Sequence, residues 1–170
     1  MQNYVALLRG INLGARNKIA MPELTRLFVD LGYADVTTYI QSGNVVFKAD
    51  KALPADIEQS IADKLGLDVA VLLRTKDELA ALAAANPFLG RNTDLTKLHA
   101  TFLAGAAGGE LSVPTGETAE CALGDQVVYL YCPDGYGRTR LNNAFIERRL
   151  GVVATTRNWR TVTKLCELAS

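Results

Sequence analysis

The apolar and polar positions at the start of the chain predict a strand followed by a helix. A continuous apolar run at residues 4–8 has the length of a strand that is buried on both faces. A helix with one buried face follows, because Pro22 fits a first helical turn and Gly32 fits a helical stop. Its apolar positions, at the spacing of a helix, are Leu24, Leu27, Phe28 and Leu31.

The same pattern continues through four more elements. Residues 36–40 and 45–47 predict a hairpin, since apolar and polar residues alternate in the first and a turn separates it from the second. A second helix is predicted between Pro54 and Gly66, where apolar residues recur every four positions, and residues 69–73 form a further apolar strand. This β-α-β-β-α-β order is that of the split ferredoxin-like unit, an antiparallel sheet with both helices on one face.

A boundary between two subdomains is predicted after residue 74. Thr75 and Glu78 have the spacing of a capping box, and the helix that they open must end at Asn86, because the residue before a proline avoids helical angles. We therefore expect an α+β protein with a ferredoxin-like subdomain over residues 1–74. A smaller α+β subdomain over residues 75–170 is expected to pack with the first as one compact unit.

The second subdomain is predicted to mix helices and strands as well. Residues 99–104 predict a strand, and residues 118–123 and 126–132 predict a second hairpin around a Gly-Asp turn. A helix ending at Gly151, a short strand over residues 152–154 and a last amphipathic helix complete the prediction. No internal repeat is visible at the periods of solenoid proteins.

The composition indicates a globular chain without a membrane span. Its 170 residues are 49% hydrophobic and 21% charged, enough to bury a core. No apolar run approaches the roughly 20 residues that cross a bilayer, and the first residues lack the features of a signal peptide, so we expect a cytoplasmic protein without membrane contacts. Three cysteines without a Cys-x-x-Cys pair, and the single His99, indicate neither disulfides nor zinc. No metal or other cofactor is expected.

The formal net charge is zero, but the cations are concentrated near the two ends of the chain. Residues 1–20 carry a charge of +3 with no acid, residues 138–164 carry +6, and the remainder carries −9. If the two ends meet in the fold, they form a basic face, the usual footprint of an anionic partner. The alternative is that these cations belong to the solvated faces of helices.

The loop after the first strand, residues 8–18, is the first candidate for that face, and we call it the opening loop. It is rich in glycine, asparagine and cations. The candidate ligand-binding residues are Arg9, Asn12 and Lys18 in this loop and Ser42 and Asn44 in the turn of the first hairpin. Turn chemistry is the alternative in both places, because glycine and asparagine tolerate left-handed backbone angles.

The segment of residues 132–141 leads from a strand through two glycines towards a helix, with Thr139 as a candidate N-cap. Free backbone N–H groups there, together with Arg138 and Arg140, can receive a phosphate or a carboxylate. The spacing is neither that of a P-loop nor that of the dinucleotide fingerprint. A tight turn is the alternative explanation of the glycines, but it leaves the two arginines unexplained.

The segment of residues 154–165 contains the last candidates, Arg157, Asn158 and Arg160. Asn158 is predicted to cap the last helix, with Trp159 on its packed face and Arg160 on its free face. Arg157 lies just before the cap, where a cation opposes the helix dipole, so we interpret it as a ligand for an anion beside the exposed N–H groups. A carboxylate from elsewhere in the chain is an equally acceptable partner.

These three segments, with residues 41–47 and 86–88, resemble the bacterial family known as domain of unknown function 1697, and the resemblance runs the whole length of the chain. It implies a compact α+β protein with a ferredoxin-like portion, and it brings no established activity, substrate or catalytic residue. The visible departure is Ala15, where the family usually shows a second glycine after Gly14. A backbone angle that only glycine tolerates is therefore not expected at residue 15.

We expect a binding module that holds a phosphorylated small molecule, a nucleotide or an RNA segment on this basic face. An enzyme that acts on a small anionic metabolite is the alternative, with Arg138 and Arg157 as clamps and Asp134 or Ser42 near the chemistry. No paired carboxylates and no Ser-His-Asp or Cys-His set supports a mechanism, since His99 is far in sequence from the segments above. An oligomeric interaction protein without a ligand is a third alternative.

Overall fold

The computed structural model of this chain describes residues 1–91 and 94–170. This part of the chain is an α+β structure with five α-helices and two four-stranded antiparallel sheets. It divides into two compact units, which we call the first unit, Met1–Leu79 with Leu165–Ser170, and the second unit, Ala80–Lys164. The boundary drawn from the sequence between residues 74 and 75 stays a prediction.

The elements of the first unit follow the order expected from the hydrophobic pattern. They are β1 (Gln2–Leu8), α1 (Met21–Asp30), β2 (Ala34–Tyr39), β3 (Asn44–Ala49), α2 (Pro54–Leu65), β4 (Val71–Thr75) and α3 (Lys76–Ala84), which continues into the second unit. The strand order in the sheet is β2-β3-β1-β4, and every pairing is antiparallel. Both α1 and α2 have a proline in the first turn, and Gly66 closes α2 in a left-handed conformation, as predicted.

The core of the first unit is formed by one face of its sheet together with α1 and α2. Phe47 is fully buried at its centre, and its ring lies 5.5 Å from that of Tyr4 and 4.6 Å from that of Tyr33. Val5 and Leu7, whose side chains point to the other face of the sheet, are also fully buried. The prediction that the first strand is buried on both faces is therefore confirmed.

The second unit has its own sheet and its own core. Its elements are β5 (Leu98–Leu103), β6 (Glu120–Gly124), β7 (Val127–Tyr131), α4 (Asn143–Leu150), β8 (Ala154–Asn158) and α5 (Trp159–Ala169), which ends in the first unit. The strand order is β6-β7-β5-β8, again with antiparallel pairings. Leu130 of β7 and Ile146 of α4 are fully buried members of its core.

The short strand predicted over residues 152–154 was wrong in position. The strand begins at Ala154 and runs to Asn158, because these five residues pair with β5 from Leu103 back to His99. Long-range pairing, which local periodicity does not encode, sets its bounds.

The predicted N-cap of the helix after residues 132–141 was also wrong. Asn142 caps α4, since its Oδ1 accepts the N–H of Phe145 at 2.9 Å. Thr139 lies three residues earlier, after a 3₁₀ turn at Tyr136–Arg138, and its Oγ1 accepts the N–H of Leu141 at 3.1 Å. Its hydroxyl therefore stabilises the turn that precedes the helix.

The two sheets share one topology. Strands β1 to β4 correspond to β5 to β8, both in chain order and in position within the sheet. Val5 lies opposite Arg74 in the first sheet, as Ala100 lies opposite Arg157 in the second. In both units a helix precedes the last strand and another helix follows that strand directly. Only α1 has no counterpart in the described chain, since residues 104–119 form neither helix nor strand.

Candidate functional site

The opening loop follows a tightly turned path between β1 and α1. Four of its residues have φ values between +48° and +71°: Gly10, Asn12, Gly14 and Asn17. Glycine and asparagine tolerate this left-handed conformation best, so turn chemistry accounts for these residue types. An antiparallel bridge between Leu13 and Arg16 closes the tip of the loop. Ala15, at that tip, is not left-handed, in agreement with the absence of a glycine there.

The side chain of Asn12 fixes the loop from inside. Its Oδ1 accepts the N–H of Ile19 at 2.8 Å, and its Nδ2 donates to the carbonyls of Ile19 at 3.1 Å and Gln41 at 2.8 Å. Gln41 belongs to the turn between β2 and β3, residues 40–43, which we call the hairpin turn. Asn12, a predicted ligand residue, therefore joins the opening loop to the hairpin turn through backbone groups.

Two more predicted ligand residues lie at the hairpin turn: Ser42 within it, and Asn44 as the first residue of β3. Asn44 is fully buried, and its Nδ2 donates to the carbonyl of Tyr39 at 2.9 Å and to Ser42 Oγ at 3.0 Å. Ser42 itself is exposed. Gly43 has φ +94°, and a Cβ atom on it would lie 2.8 Å from Ile11 Cδ1, closer than such atoms pack. The turn is therefore fitted against the opening loop.

The cations of the opening loop differ in their surroundings. Arg9 is half-buried, and its backbone N–H donates to the carbonyl of Ala70 at 3.0 Å. Arg16 and Lys18 are exposed, and neither forms an ion pair with a carboxylate within residues 1–91 and 94–170. Leu13 beside them is 66% exposed. The tip of the loop thus presents two cations and an aliphatic side chain to solvent.

In the second unit, Arg138 and Arg140 have different roles. Arg140 stabilises a neighbouring loop: its Nη2 donates to the carbonyl of Thr115 at 2.7 Å, and its backbone N–H donates to Glu117 Oε2 at 3.0 Å. Hydrogen bonding from the backbone of Arg140 lowers the pKa of the Glu117 carboxyl. Arg138, in the 3₁₀ turn, is exposed and has no carboxylate partner in the part of the chain that the structure describes.

Arg157, Asn158 and Arg160 lie around the start of α5. Asn158 caps the helix as predicted, because its Oδ1 accepts the N–H of Thr161 at 2.8 Å. Arg160 is exposed in the first turn. Arg157 lies within β8 and is only 6% exposed, and its Nη1 donates to Thr155 Oγ1 at 2.8 Å. Burial lowers the pKa of Arg157 to about 10, so the guanidinium stays protonated at neutral pH.

His99 is the polar residue whose position the sequence did not reveal. It lies directly opposite Asn158 in the β5–β8 pair, and its ring stacks on Tyr136 with 4.9 Å between centroids. Its Nδ1 is enclosed, and hydrogen bonding with the backbone of Lys97 raises the pKa of the ring against the larger effect of burial. Burial lowers the pKa of the imidazole, which is therefore mostly neutral near pH 7. The sequence did contain one indication of this position. In a strand over residues 99–103, alternate side chains lie on the same face, so His99 and Thr101 share one face.

The ten predicted ligand residues are therefore divided evenly between the two units. Arg9, Asn12, Lys18, Ser42 and Asn44 belong to the first unit, and Arg138, Arg140, Arg157, Asn158 and Arg160 belong to the second. Within the first unit, the Asn12–Gln41 hydrogen bond holds the opening loop and the hairpin turn together. Within the second, strand pairing and the Tyr136 stack bring His99, Asn158 and the 3₁₀ turn together.

Neither unit shows an obvious metal centre in its described residues. No group of three His, Cys, Asp or Glu side chains there is arranged to hold a metal ion. Cys121, Cys132 and Cys166 are free thiols. No helix found in residues 1–91 and 94–170 has both the length and the apolar character needed to cross a bilayer.

Comparison with known proteins identifies a fold and a family. The solved structure of the conserved bacterial protein SP0830 from Streptococcus pneumoniae superposes with a TM-score of 0.74 over 99% of each chain, at 21% sequence identity. At this identity the likeness concerns the fold. No curated protein matches the chain. The family model described as protein of unknown function, DUF1697, matches residues 1–129. The chain therefore belongs to the DUF1697 family.

Proposed function

We propose that this protein is a binding module for an anionic, phosphate-bearing ligand: a phosphorylated small molecule, a nucleotide or a segment of RNA. The observation that carries the proposal is the construction of the opening loop. Four left-handed residues and the hydrogen bonds of Asn12 to Ile19 and Gln41 fix the backbone of the loop. The side chains at its tip, residues 13–16, are exposed to solvent. A fixed loop that presents its tip to solvent is suited to contact a ligand there.

Backbone energetics support this interpretation of the loop. A left-handed conformation costs an L-residue roughly 1–2 kcal/mol, less for asparagine, and such conformations persist where the surrounding structure enforces them. Asn12 and Asn17 both adopt it, at φ +54° and +48°. Side-chain hydrogen bonds from Asn12 to Ile19 and Gln41 and from Asn17 to Gly10 offset this cost. The loop is therefore preorganised, which lowers the entropic cost of binding a ligand.

The charge of the loop supports an anionic ligand. The segment contains Arg9, Arg16 and Lys18 and no acid. Since Arg16 and Lys18 are exposed without a carboxylate partner in the described chain, their charge is available to a phosphate. The exposed Ser42, held beside the loop by the Asn12–Gln41 hydrogen bond, adds a hydroxyl that can donate to the same group.

We also propose that the first unit has a ferredoxin-like fold. Its β-α-β-β-α-β order and its antiparallel β2-β3-β1-β4 sheet support that assignment. Sheets of this type serve RNA recognition in other proteins through exposed aromatic residues on their strands. Because the strands here lack such a run, the proposed contact is the opening loop and not the sheet face.

In the second unit, the proposal rests on Arg138 and Arg160. Both are exposed cations without a carboxylate partner in the described residues. Arg140 is bonded to residues 115 and 117, and Arg157 is buried within β8, so we assign structural roles to these two. Asn44 and Asn12 likewise shape the site in the first unit without a direct contact to the ligand.

Fluorescence anisotropy with a labelled single-stranded RNA and with a labelled nucleoside triphosphate tests the proposal. The variant Arg16→Ala/Lys18→Ala is expected to bind at least about tenfold more weakly, a loss of about 1.4 kcal/mol, because two charge-assisted contacts disappear. The matched control Lys51→Ala/Lys76→Ala removes two exposed cations from the same unit. Its affinity should equal that of the wild type.

Three outcomes have distinct meanings in this assay. Equal losses in the loop variant and in its control would show that only net charge matters and would overturn the proposal. The absence of any binding to either probe would overturn it as well. A loss with Arg138→Ala/Arg160→Ala would show that the second unit binds the probe through these two cations by itself.

A further inference from the structure

Ile40, the first residue of the hairpin turn, combines an unfavourable backbone conformation with an exposed side chain. Its φ is +49°, and among the five residues other than glycine that have a positive φ in the described chain it is the only β-branched one. A left-handed conformation costs an L-residue free energy, and it is exceptional for a β-branched side chain. Glycine or asparagine would adopt it more easily. The hairpin turn therefore carries a residue type that its backbone disfavours.

Burial of the Ile40 side chain offsets little of this cost. The residue is 47% exposed, and within the described residues the core of the first unit is formed without it. By comparison, Val36 of the preceding strand packs against that core. Strained backbone conformations in native proteins cluster at ligand-binding sites, where a contact with the ligand depends on them. Ile40 is therefore a candidate for an apolar contact with a ligand.

Ile40 and Leu13 lie on neighbouring segments of the first unit. The hydrogen bond from Asn12 Nδ2 to the carbonyl of Gln41, 2.8 Å long, joins the residue before Leu13 to the residue after Ile40. Leu13 is 66% exposed at the tip of the opening loop, where its backbone pairs with that of Arg16. Two exposed aliphatic residues thus flank the contact between the two turns, in the same pair of turns as the cations.

Cations beside exposed aliphatic residues suit a ligand that joins a phosphate to an apolar plane. Arg16 and Lys18 are exposed without a carboxylate partner in the described chain, so their charge suits the phosphate. A nucleobase has a flat face that packs on apolar side chains. We infer that the ligand of the opening loop is a nucleotide unit, free or within a single strand, whose base contacts Ile40 and Leu13. This inference rests on the proposed function and selects one class of ligand within it.

The substitution Ile40→Asn separates the stability of the turn from ligand binding. Because asparagine tolerates the left-handed conformation, we expect the midpoint of unfolding in urea to rise. Leu53→Asn is the matched control. Leu53 is 45% exposed, lies beyond the end of β3 that is remote from the hairpin turn, and occupies the N-cap of α2 without a side-chain cap bond. Asparagine is a good N-cap, so this substitution should raise the midpoint too.

Binding is measured by competition against the labelled single-stranded RNA and the labelled nucleoside triphosphate. One pair of competitors is adenosine triphosphate and inorganic tripolyphosphate, and the other is oligoadenylate and an abasic strand of equal length. We expect the wild type to prefer the base-bearing member of at least one pair by at least about tenfold, because an apolar contact is added to the charged ones. The pair that shows the preference identifies whether the nucleotide unit is free or part of a strand.

The variants then assign this preference to the hairpin turn. Ile40→Asn should reduce it at least about threefold, because the apolar contact with the base is lost while the cations remain. Leu53→Asn should leave it unchanged. A preference that Ile40→Asn does not alter, or that both variants reduce equally, would overturn the inference. An unfolding midpoint that fails to rise in Ile40→Asn would overturn it as well, since the conformation would then carry no cost.

Failure of this inference is distinguishable from failure of the proposed function. Equal affinity for the two members of each pair would overturn the inference and leave phosphate binding by the opening loop in place. The absence of binding to every probe and competitor would overturn both.

Discussion

At the residue scale, a few side chains determine the shape of the opening loop. Asn12 binds two backbone segments through both ends of its amide, and Gly43 leaves room for Ile11 and Leu8. The sequence predicted turn chemistry at these positions from residue type alone. It did not predict that the loop and the hairpin turn meet, because the Asn12–Gln41 contact spans 29 residues.

The substitution Gly43→Ala tests the fit between the two turns. A Cβ at this position would lie 2.8 Å from Ile11 Cδ1 and 2.9 Å from Leu8 Cβ, on a backbone at φ +94°. We expect the free energy of unfolding in urea to fall by about 2–4 kcal/mol, from overpacking and backbone strain together.

Gly14→Ala is the matched control for that substitution. Gly14 is also left-handed, at φ +60°, but a Cβ on it would meet nothing within 4 Å. Strain alone should cost about 1 kcal/mol there. If Gly43→Ala and Gly14→Ala lower the free energy of unfolding equally, the close contact between residue 43 and Ile11 does not affect stability.

Cys132 should be unreactive in the folded protein. Burial, with a contribution from the negative charge of Glu117, raises the pKa of its thiol to about 11, so the reactive thiolate is scarce at neutral pH. We expect a thiol reagent to label Cys132 only after unfolding in denaturant, as followed by mass spectrometry of peptides. Labelling of native protein at the rate found in denaturant would contradict the burial described for this residue.

At the scale of elements, strong local signals made the prediction succeed. The prolines that open α1 and α2, and the glycine that closes α2, act within one turn of the helix and are legible in sequence. The capping box of α3 is another such signal. Thr75 Oγ1 accepts the N–H of Glu78 at 3.1 Å, and Glu78 Oε1 accepts the N–H of Thr75 at 2.8 Å.

Thr75→Ala should destabilise α3 measurably. Removing the cap hydroxyl leaves the N–H of Glu78 without its acceptor, and we expect the free energy of unfolding to fall by about 1 kcal/mol. Glu78→Gln is the control, because glutamine also serves in a capping box, and it should cost only a few tenths of a kcal/mol. A neutral Thr75→Ala, measured in the same urea titration, would show that the cap does not contribute to stability.

Prediction failed for elements that depend on distant partners. β8 takes its bounds from pairing with β5, more than 50 residues earlier in the chain, so the apolar residues 152 and 153 fall outside it. The cap of α4 was missed for a local reason: Asn142 caps the helix, whereas Thr139 comes directly after the 3₁₀ turn at Tyr136–Arg138. Thr139 and Asn142 are both good caps by residue type, and only the preceding backbone distinguishes them.

At the scale of the whole molecule, the chain repeats one sheet topology with different side chains. Equivalent positions hold Tyr4 and His99, or Ala6 and Thr101, and residues 104–119 replace the opening loop and α1. The sequence shows no such repeat because strand pairing conserves register and not residue identity.

The distribution of charge was the part of the functional prediction that the sequence supported best. It identified the cation-rich segments, but it did not distinguish cations committed to the fold from cations left in solvent. The structure makes that distinction: Arg140 and Arg157 are engaged or buried, whereas Arg16, Lys18, Arg138 and Arg160 are exposed. Substitutions of these four exposed cations are therefore the informative tests of ligand binding.

The salt dependence of RNA binding tests the proposed role of the opening loop most directly. Each phosphate contact with a single strand contributes roughly 0.7 to the slope of log affinity against log salt concentration. The slope for Arg16→Ala/Lys18→Ala should therefore be shallower than that of the wild type by about 1.4, while Lys51→Ala/Lys76→Ala keeps the wild-type slope. Equal slopes for all three proteins, or binding that does not respond to salt, would contradict the account.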